Sequence, residues 1–212
     1  MKLYGCWRSS ATWRVRIALA HKGIAYEYVP VRIERTGGEQ DGAAFRDKNP
    51  MGRVPVLELE GGRRLAESMA ILELLEETHP APPLLPKDTF LRARARQLAM
   101  LVVSGIQPLQ NTGVQHWVEA ELHADGPAWI HHWVGKGLGA LETLVRETAG
   151  TYSVGDALSF ADVCLVPQLY FARRFAIDLA PYPTLVRIDA ACTKLAAFEA
   201  AHANRQPDAP VA

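Results

Sequence analysis

The chain of 212 residues is long enough for one large core or two modest ones. Apolar residues make up 49% and charged residues 22%, the composition of an ordinary globular protein, and 23 Lys plus Arg against 23 Asp plus Glu leave no basic surplus for a nucleic-acid partner. No apolar run reaches the roughly 18 residues of a membrane span, and Met1 to Gly5 does not begin a signal peptide, so a cytoplasmic protein without a membrane partner is expected. Cys6, Cys164 and Cys192 form no CxxC and have no metal-ligand spacing; so sparse and odd a set suits a reducing compartment, and no metal is expected.

Lys2 to Gly5 reads as a short strand. Residues 11–21 follow as a helix, with Ala11, Val15, Ala18 and Leu19 on one side and Trp13, Ile17 and Ala20 on another, so it should be well buried. Lys22-Gly23 closes it with a cation and a glycine cap. Tyr26 to Ile33 is a second strand, which makes a right-handed βαβ unit. After a loop carrying Gly37, Gly38, Glu39 and Gln40 come a strand at Val54 to Leu59 and its partner at Arg63 to Ala66, joined through Gly61-Gly62. Ser68 can cap a helix running to about Thr78. The order βαβ-α-ββα is thioredoxin-like.

Between His79 and Asp88, four prolines in seven residues exclude both helix interior and central strand. We therefore place an α/β domain at 1–80, a linker at 81–87 and an all-α domain at 88–212. The second half reads as helices at 88–120, 126–148, 160–174 and 184–202. The third starts on a capping box, Ser159 with Asp162 three residues on, flanked by Leu158 and Val163 as a hydrophobic staple. Arg92, Arg94 and Arg96 spread around the first of these helices as a solvated surface.

Three segments carry candidate chemistry. Cys6 to Arg14 joins the first strand to the first helix, where unpaired N–H groups and the positive dipole end favour an anion; Ser9 and Ser10 can donate to a thiolate or simply cap the helix. In Asn49 to Leu57, Pro55 either lies on an edge strand or follows a cis bond that turns the Val54 backbone outward to an extended peptide. Glu67-Ser68, at another helix start, can meet an ammonium and a carboxylate, or act as a plain N-cap with a solvated neighbour. Together they describe a site for a small zwitterionic peptide with a thiol.

On these residues the chain resembles the zeta class of glutathione transferases, the maleylacetoacetate isomerases. The resemblance rests on Ser9-Ser10 with Trp13 to Leu19, Asn49-Pro50-Met51, Val54-Pro55, Gly105 to Asn111, Ala161 to Gln168, Arg174-Phe175, Asp178-Leu179, Pro181 to Thr184 and Arg205 to Asp208, and so covers essentially the whole chain. It implies the glutathione transferase fold, glutathione as cofactor, a small dicarboxylate as substrate and a homodimer. It implies that Ser9, with Ser10 beside it, steadies the glutathione thiolate, and that Val54, before Pro55, binds the cysteinyl backbone. Glu67 and Ser68 would hold the γ-glutamyl end, Gln40 would reach the glycine end, and Gln110 would contribute from the helical domain. Arg8 and Arg174 would face the substrate carboxylates. The implied reaction is cis–trans isomerisation of maleylacetoacetate by reversible thiolate addition, with general glutathione transferase capacity beside it.

Two positions depart from the family: Ala11 stands where a cysteine is usual, and Glu67 where glutamine is common. Three rival readings keep parts of this chemistry. A maleylpyruvate isomerase would share the Arg8-Ser9 start and the Arg173-Arg174-Phe175 run. A thiol–disulfide enzyme would use Cys6-Trp7-Arg8-Ser9 as CxxS. A non-catalytic module would keep only the fold.

Overall fold

In the computed structural model, which describes residues 1–210, strand β1 (Lys2–Gly5) lies inside a four-stranded sheet of order β2-β1-β3-β4. It runs parallel to β2 (Glu27–Pro30) and antiparallel to β3 (Val56–Glu58), and β3 pairs antiparallel with β4 (Arg64–Ala66). The hairpin between β3 and β4 turns on Gly61 and Gly62, both at φ 77, where a side chain would be strained. Helix α1 (Ser10–His21) crosses over between β1 and β2, α2 (Ala43–Arg46) is a single turn, and α3 (Ser68–Thr78) packs on α1. The thioredoxin-like order is therefore present. Strands β2, β3 and β4 are shorter than their expected spans by four, three and one residues, because ladder pairing ends where the chain turns out toward the loops.

Helix α1 is buried around its girth, as its composition predicts, but it takes charge inside with it: Arg14 and Arg16 are both 0% exposed. A buried cation is tolerated only where acceptors surround it. Lys22, at the end of the same helix, ion-pairs with Glu76 of α3 at 2.7 Å and donates to the carbonyls of His79 and Pro82. This pins the far ends of α1 and α3 together.

The internal contacts divide the described residues into two units, 1–82 with 196–210, and 83–195. The sequence reading ran the helical region on to 212; instead the last described stretch, with α10 (Ala196–Ala200), packs against α1 in the first unit.

The second unit is helical, with α4 (Thr89–Met100), α5 (Gln107–Gln110), α6 (Thr112–Ala120), α7 (Gly126–Val145), α8 (Phe160–Arg174) and α9 (Pro183–Cys192). The single helix expected over 88–120 is broken. Leu101–Ile106 forms a π-helical stretch, Ser104 Oγ bonds back to the Met100 carbonyl at 2.7 Å, Pro108 removes a donor, and Asn111 is extended at ψ 142. The helix expected over 184–202 likewise stops at Cys192, where Thr193 Oγ1 caps back onto the Asp189 carbonyl.

The capping box at the start of α8 forms as the spacing predicts. Asp162 accepts from Ser159 N–H, Ser159 Oγ and Ser153 N–H, each at 2.8 Å. Burial pushes the Asp162 carboxyl up, while the bonds from Ser153 and Ser159 pull it down. Replacing Asp162 by Ala strands two buried N–H donors, and we expect a loss of about 3 kcal/mol, read as a lower midpoint in urea with an unchanged slope.

Candidate functional site

The sheet register brings the predicted loops to one edge. Tyr4 pairs with Val56, and Val56 with Ala66, while Gly5 pairs with Pro30. The exits of β1, β2 and β4 and the entry to β3 therefore lie along the same edge, beyond the carboxyl ends of the parallel pair, where ligands bind in open α/β sheets. Both α1 and α3 start there, so two sets of unpaired helical N–H groups face that edge.

Ser9 is the N-cap of α1, and its Oγ accepts from Thr12 N–H at 3.2 Å. Capping and donation are not alternatives for a hydroxyl: the oxygen accepts the cap bond and its own hydrogen remains a donor. Ser10 begins the helix and is 9% exposed. Arg8 is exposed and reaches across to the Ile33 carbonyl at 3.1 Å, linking the loop after β1 to the loop after β2.

The Val54–Pro55 bond is cis. The Val54 N–H and C=O make no hydrogen bond to another described residue, so a strand-like pair of polar groups is open at the edge. The preceding turn is built by Asn49, which is 5% exposed: its Nδ2 donates to the Arg53 carbonyl at 2.7 Å and its Oδ1 accepts from Met51 N–H at 3.1 Å. Gly52 completes the turn at φ +61, and a Cβ there would sit 2.8 Å from the Gln40 carbonyl oxygen. Gln40 itself is buried, and its amide is engaged within its own loop, donating to the Glu34 carbonyl at 2.8 Å and to Asp41 at 2.9 Å.

Glu67 is the N-cap of α3, exposed, at φ 65 and ψ 109. A non-glycine residue held there is strained, and such residues cluster at ligand clamps. Ser68 is not the cap. It is the first helical residue, 4% exposed, and its Oγ accepts from Arg14 Nη1 at 3.1 Å. Thus a fully buried guanidinium stands behind the α3 N-terminus and adds a positive charge to the helix dipole. The Trp13 to Leu19 pattern includes Arg14 but assigns it no role. The signal that finds it is a cation on a helix with no polar face.

In the second unit, Gln110 of α5 is buried and exchanges reciprocal amide bonds with Gln168 of α8, at 3.1 and 2.9 Å. Arg174, in the last turn of α8, is exposed and makes no hydrogen bond or ion pair to another described residue, whereas neighbouring Arg173 is tied to Asp189 at 2.7 Å. Among the described residues no group of His, Cys, Asp or Glu is placed to hold a metal ion, and no helix is long and apolar enough to cross a membrane.

Comparison with known proteins gives the family and the fold. Residues 8–78 match the glutathione S-transferase N-terminal domain, and residues 134–192 the glutathione S-transferase C-terminal domain. The chain is 49% identical over 208 residues to the maleylacetoacetate isomerase of Rattus norvegicus, covering 98% of this chain and 94% of that one. It resembles the maleylacetoacetate isomerase of Anaeromyxobacter dehalogenans 2CP-1, solved with dicarboxyethyl glutathione and citrate in its active site, at a TM-score of 0.89 and 52% identity, covering 99% and 97% of the two chains. It also resembles a bacterial zeta-class maleyl pyruvate isomerase at a TM-score of 0.94 and 42% identity, covering 99% and 100%. The protein thus has the fold of a glutathione transferase. Within that fold, the chain belongs to the zeta-class maleylacetoacetate isomerase family.

If Asn49 holds the Val54 backbone open, Asn49→Ala should weaken glutathione binding about tenfold, measured by calorimetric titration, while removing about 2 kcal/mol of stability through two lost bonds. Unchanged affinity would separate this turn from the site.

Proposed function

We propose that the protein is a glutathione-dependent cis–trans isomerase that converts maleylacetoacetate to fumarylacetoacetate. The observation that carries the reading is Ser9: a helix N-cap whose oxygen is fixed by Thr12 N–H and whose hydrogen is free to donate, at the edge where the Val54 N–H and C=O stand open.

The residues at that edge suit a small thiol peptide end to end. The Val54 N–H and C=O pair with the cysteinyl backbone in the manner of an added strand. The γ-glutamyl carboxylate meets the α3 N-terminus and Ser68, with the Arg14 charge behind them, and Glu67 accepts from the ammonium group. Gln40 lines the glycine end and Gln110 contributes from the helical unit, although both amides already have partners.

When bound, glutathione supplies a thiolate that adds to an electron-poor double bond and leaves after the resulting single bond has turned. The protein's task is to keep that sulfur ionised. A free thiol titrates near 8.5, so only a few per cent is thiolate at neutral pH. Lowering it by about two units takes under about 3 kcal/mol of differential stabilisation. The Ser9 hydroxyl and the α1 N-terminus together are of that size. Arg8 and Arg174 are suited to the substrate carboxylates and to the negative charge that develops on addition. Arg174 is better suited than Arg173, because Asp189 already neutralises the latter.

A maleyl pyruvate isomerase shares this fold at 42% identity, so the relative rates on the two substrates decide between the two readings. The thiol–disulfide reading is weakened by Cys6, which is only 5% exposed. A cytoplasmic homodimer completes the proposal, and Phe90, 66% exposed on α4, supports an apolar contact there.

Isomerisation of maleylacetoacetate, followed by absorbance with and without glutathione, tests the reading. Turnover should require catalytic glutathione and fall about ten- to a hundredfold in Ser9→Ala, the range for a lost bond to a charged group. Turnover independent of glutathione would sink it. Arg174→Ala should lower kcat/KM for the dicarboxylate about a hundredfold and leave glutathione affinity within about twofold, with Arg173→Ala far milder. Equal losses in both readouts would remove Arg174 from the substrate site.

A further inference from the structure

Arg16, the second buried cation of α1, holds the loop that leads to Ser9. Its Nη1 donates to the Cys6 carbonyl at 3.4 Å, its Nη2 to the Trp7 carbonyl at 2.9 Å and its Nε to the Ala201 carbonyl at 3.2 Å. The Tyr28 ring lies 5.8 Å from its Cζ. From the other side, Asp208 Oδ2 accepts from Trp7 N–H at 2.9 Å and from the Tyr28 hydroxyl at 3.3 Å. The Cys6 carbonyl also accepts Ser9 N–H at 3.1 Å. Every main-chain polar group of Cys6 and Trp7 named here is therefore fixed by Arg16, Asp208 or Ser9. The carboxylate sits far along the sequence, in a segment that folds back onto the first unit.

We propose that Asp208, acting with Arg16, is a positioning residue for Ser9: the segment 201–208 clamps the Cys6–Trp7 peptide and thereby sets where the Ser9 hydroxyl points. The proposal rests on the reading of Ser9 as the donor to the glutathione thiolate. The reach is short, since Trp7 lies two residues before Ser9 and the Cys6 carbonyl accepts from both Arg16 Nη1 and Ser9 N–H. A misplacement of about 1 Å in a donor can cost about a hundredfold in rate, so a loosened clamp is felt at the sulfur. Arg16 and Asp208 also neutralise one another locally, and burial lowers the Arg16 affinity for its proton while the neighbouring Tyr28 and Asp208 raise it. Geometry and charge must therefore be tested apart.

Asp208→Asn and Asp208→Ala separate them. The amide oxygen of asparagine can still accept from Trp7 N–H and Tyr28 Oη without carrying charge; alanine can do neither. Three readouts are made on the full chain. Hydrogen exchange of the Trp7 and Ser9 amides is followed without glutathione, the thiolate absorbance of bound glutathione is titrated without substrate, and kcat and KM are measured for the dicarboxylate. In Asp208→Ala the two amides should exchange about tenfold faster, the bound thiol should titrate at higher pH, and kcat should fall about tenfold with KM within about twofold. Asp208→Asn should restore all three. Faster exchange with an unchanged thiol titration would overturn the proposal, as would an asparagine variant as impaired as alanine. Because the titration needs no substrate, it holds even if maleylacetoacetate is not turned over. If Ser9→Ala leaves the titration unmoved, the Ser9 reading fails and this proposal falls with it. If Ser9→Ala moves it and Asp208→Ala does not, only the clamp is refuted.

Discussion

Two guanidinium groups with no access to water organise the first unit. Arg14 and Arg16 are two residues apart on α1, so they leave the helix axis about 200° apart and reach opposite sides of it. A buried charge without acceptors costs several kcal/mol, which obliges the surrounding chain to bring oxygen atoms to each. Arg14 draws the Ser68 hydroxyl and with it the start of α3. Arg16 draws the carbonyls of Cys6 and Trp7 and the carbonyl of Ala201. The loops flanking the edge where α1 and α3 start are thus tethered to one helix by charge, while the same helix packs against α3 and α10.

This arrangement explains why the edge can stay polar and open without losing its shape. The Val54 N–H and C=O point to no described partner, Glu67 is held in a strained conformation, and the Ser9 hydrogen is uncommitted. Each is supported from behind: Val54 by the Asn49 turn, Glu67 by Ser68 and Arg14, Ser9 by Thr12 and the Cys6 carbonyl. Open groups facing a ligand and satisfied groups one layer deeper are what a preorganised site requires.

Much of this was legible in the sequence, for identifiable reasons. The strand and helix order followed from short apolar runs separated by Gly and Pro, and the start of α8 from the Ser159–Asp162 spacing, while at Pro55 the sequence left an edge strand and a cis bond open and the structure has the cis bond. The break after Met100 was not, because a π-helical stretch keeps the apolar character of a helix while changing its hydrogen-bond step. Nor was the return of residues 196–210 to the first unit, since periodicity describes a segment's own face and not which core receives it. Ser9, Ser10, Val54, Glu67 and Ser68 were candidates from their own segments, each with a plain structural reading beside it, whereas the roles of Arg8, Gln40, Gln110 and Arg174 came from resemblance alone. Ser, Val, Glu and Gln are common types whose chemistry depends on where the fold sets them, whereas Arg14 and Arg16 were readable in principle as charges on a helix with no wet side.

The split composition of the first unit has a bearing on how the protein is made. Its sheet and α1 are synthesised first, yet Ala201 and Asp208 emerge only after the whole of residues 83–195. At about 5–20 residues per second that is a delay on the order of ten seconds, during which Arg16 and the Cys6–Trp7 loop lack two of their partners on the ribosome. The nascent first unit can collapse around its apolar residues but cannot finish its ligand edge. On the proposed clamp, competence for glutathione waits for Ala201 and Asp208, so a ribosome that stalls before them holds a first unit that is collapsed and catalytically immature.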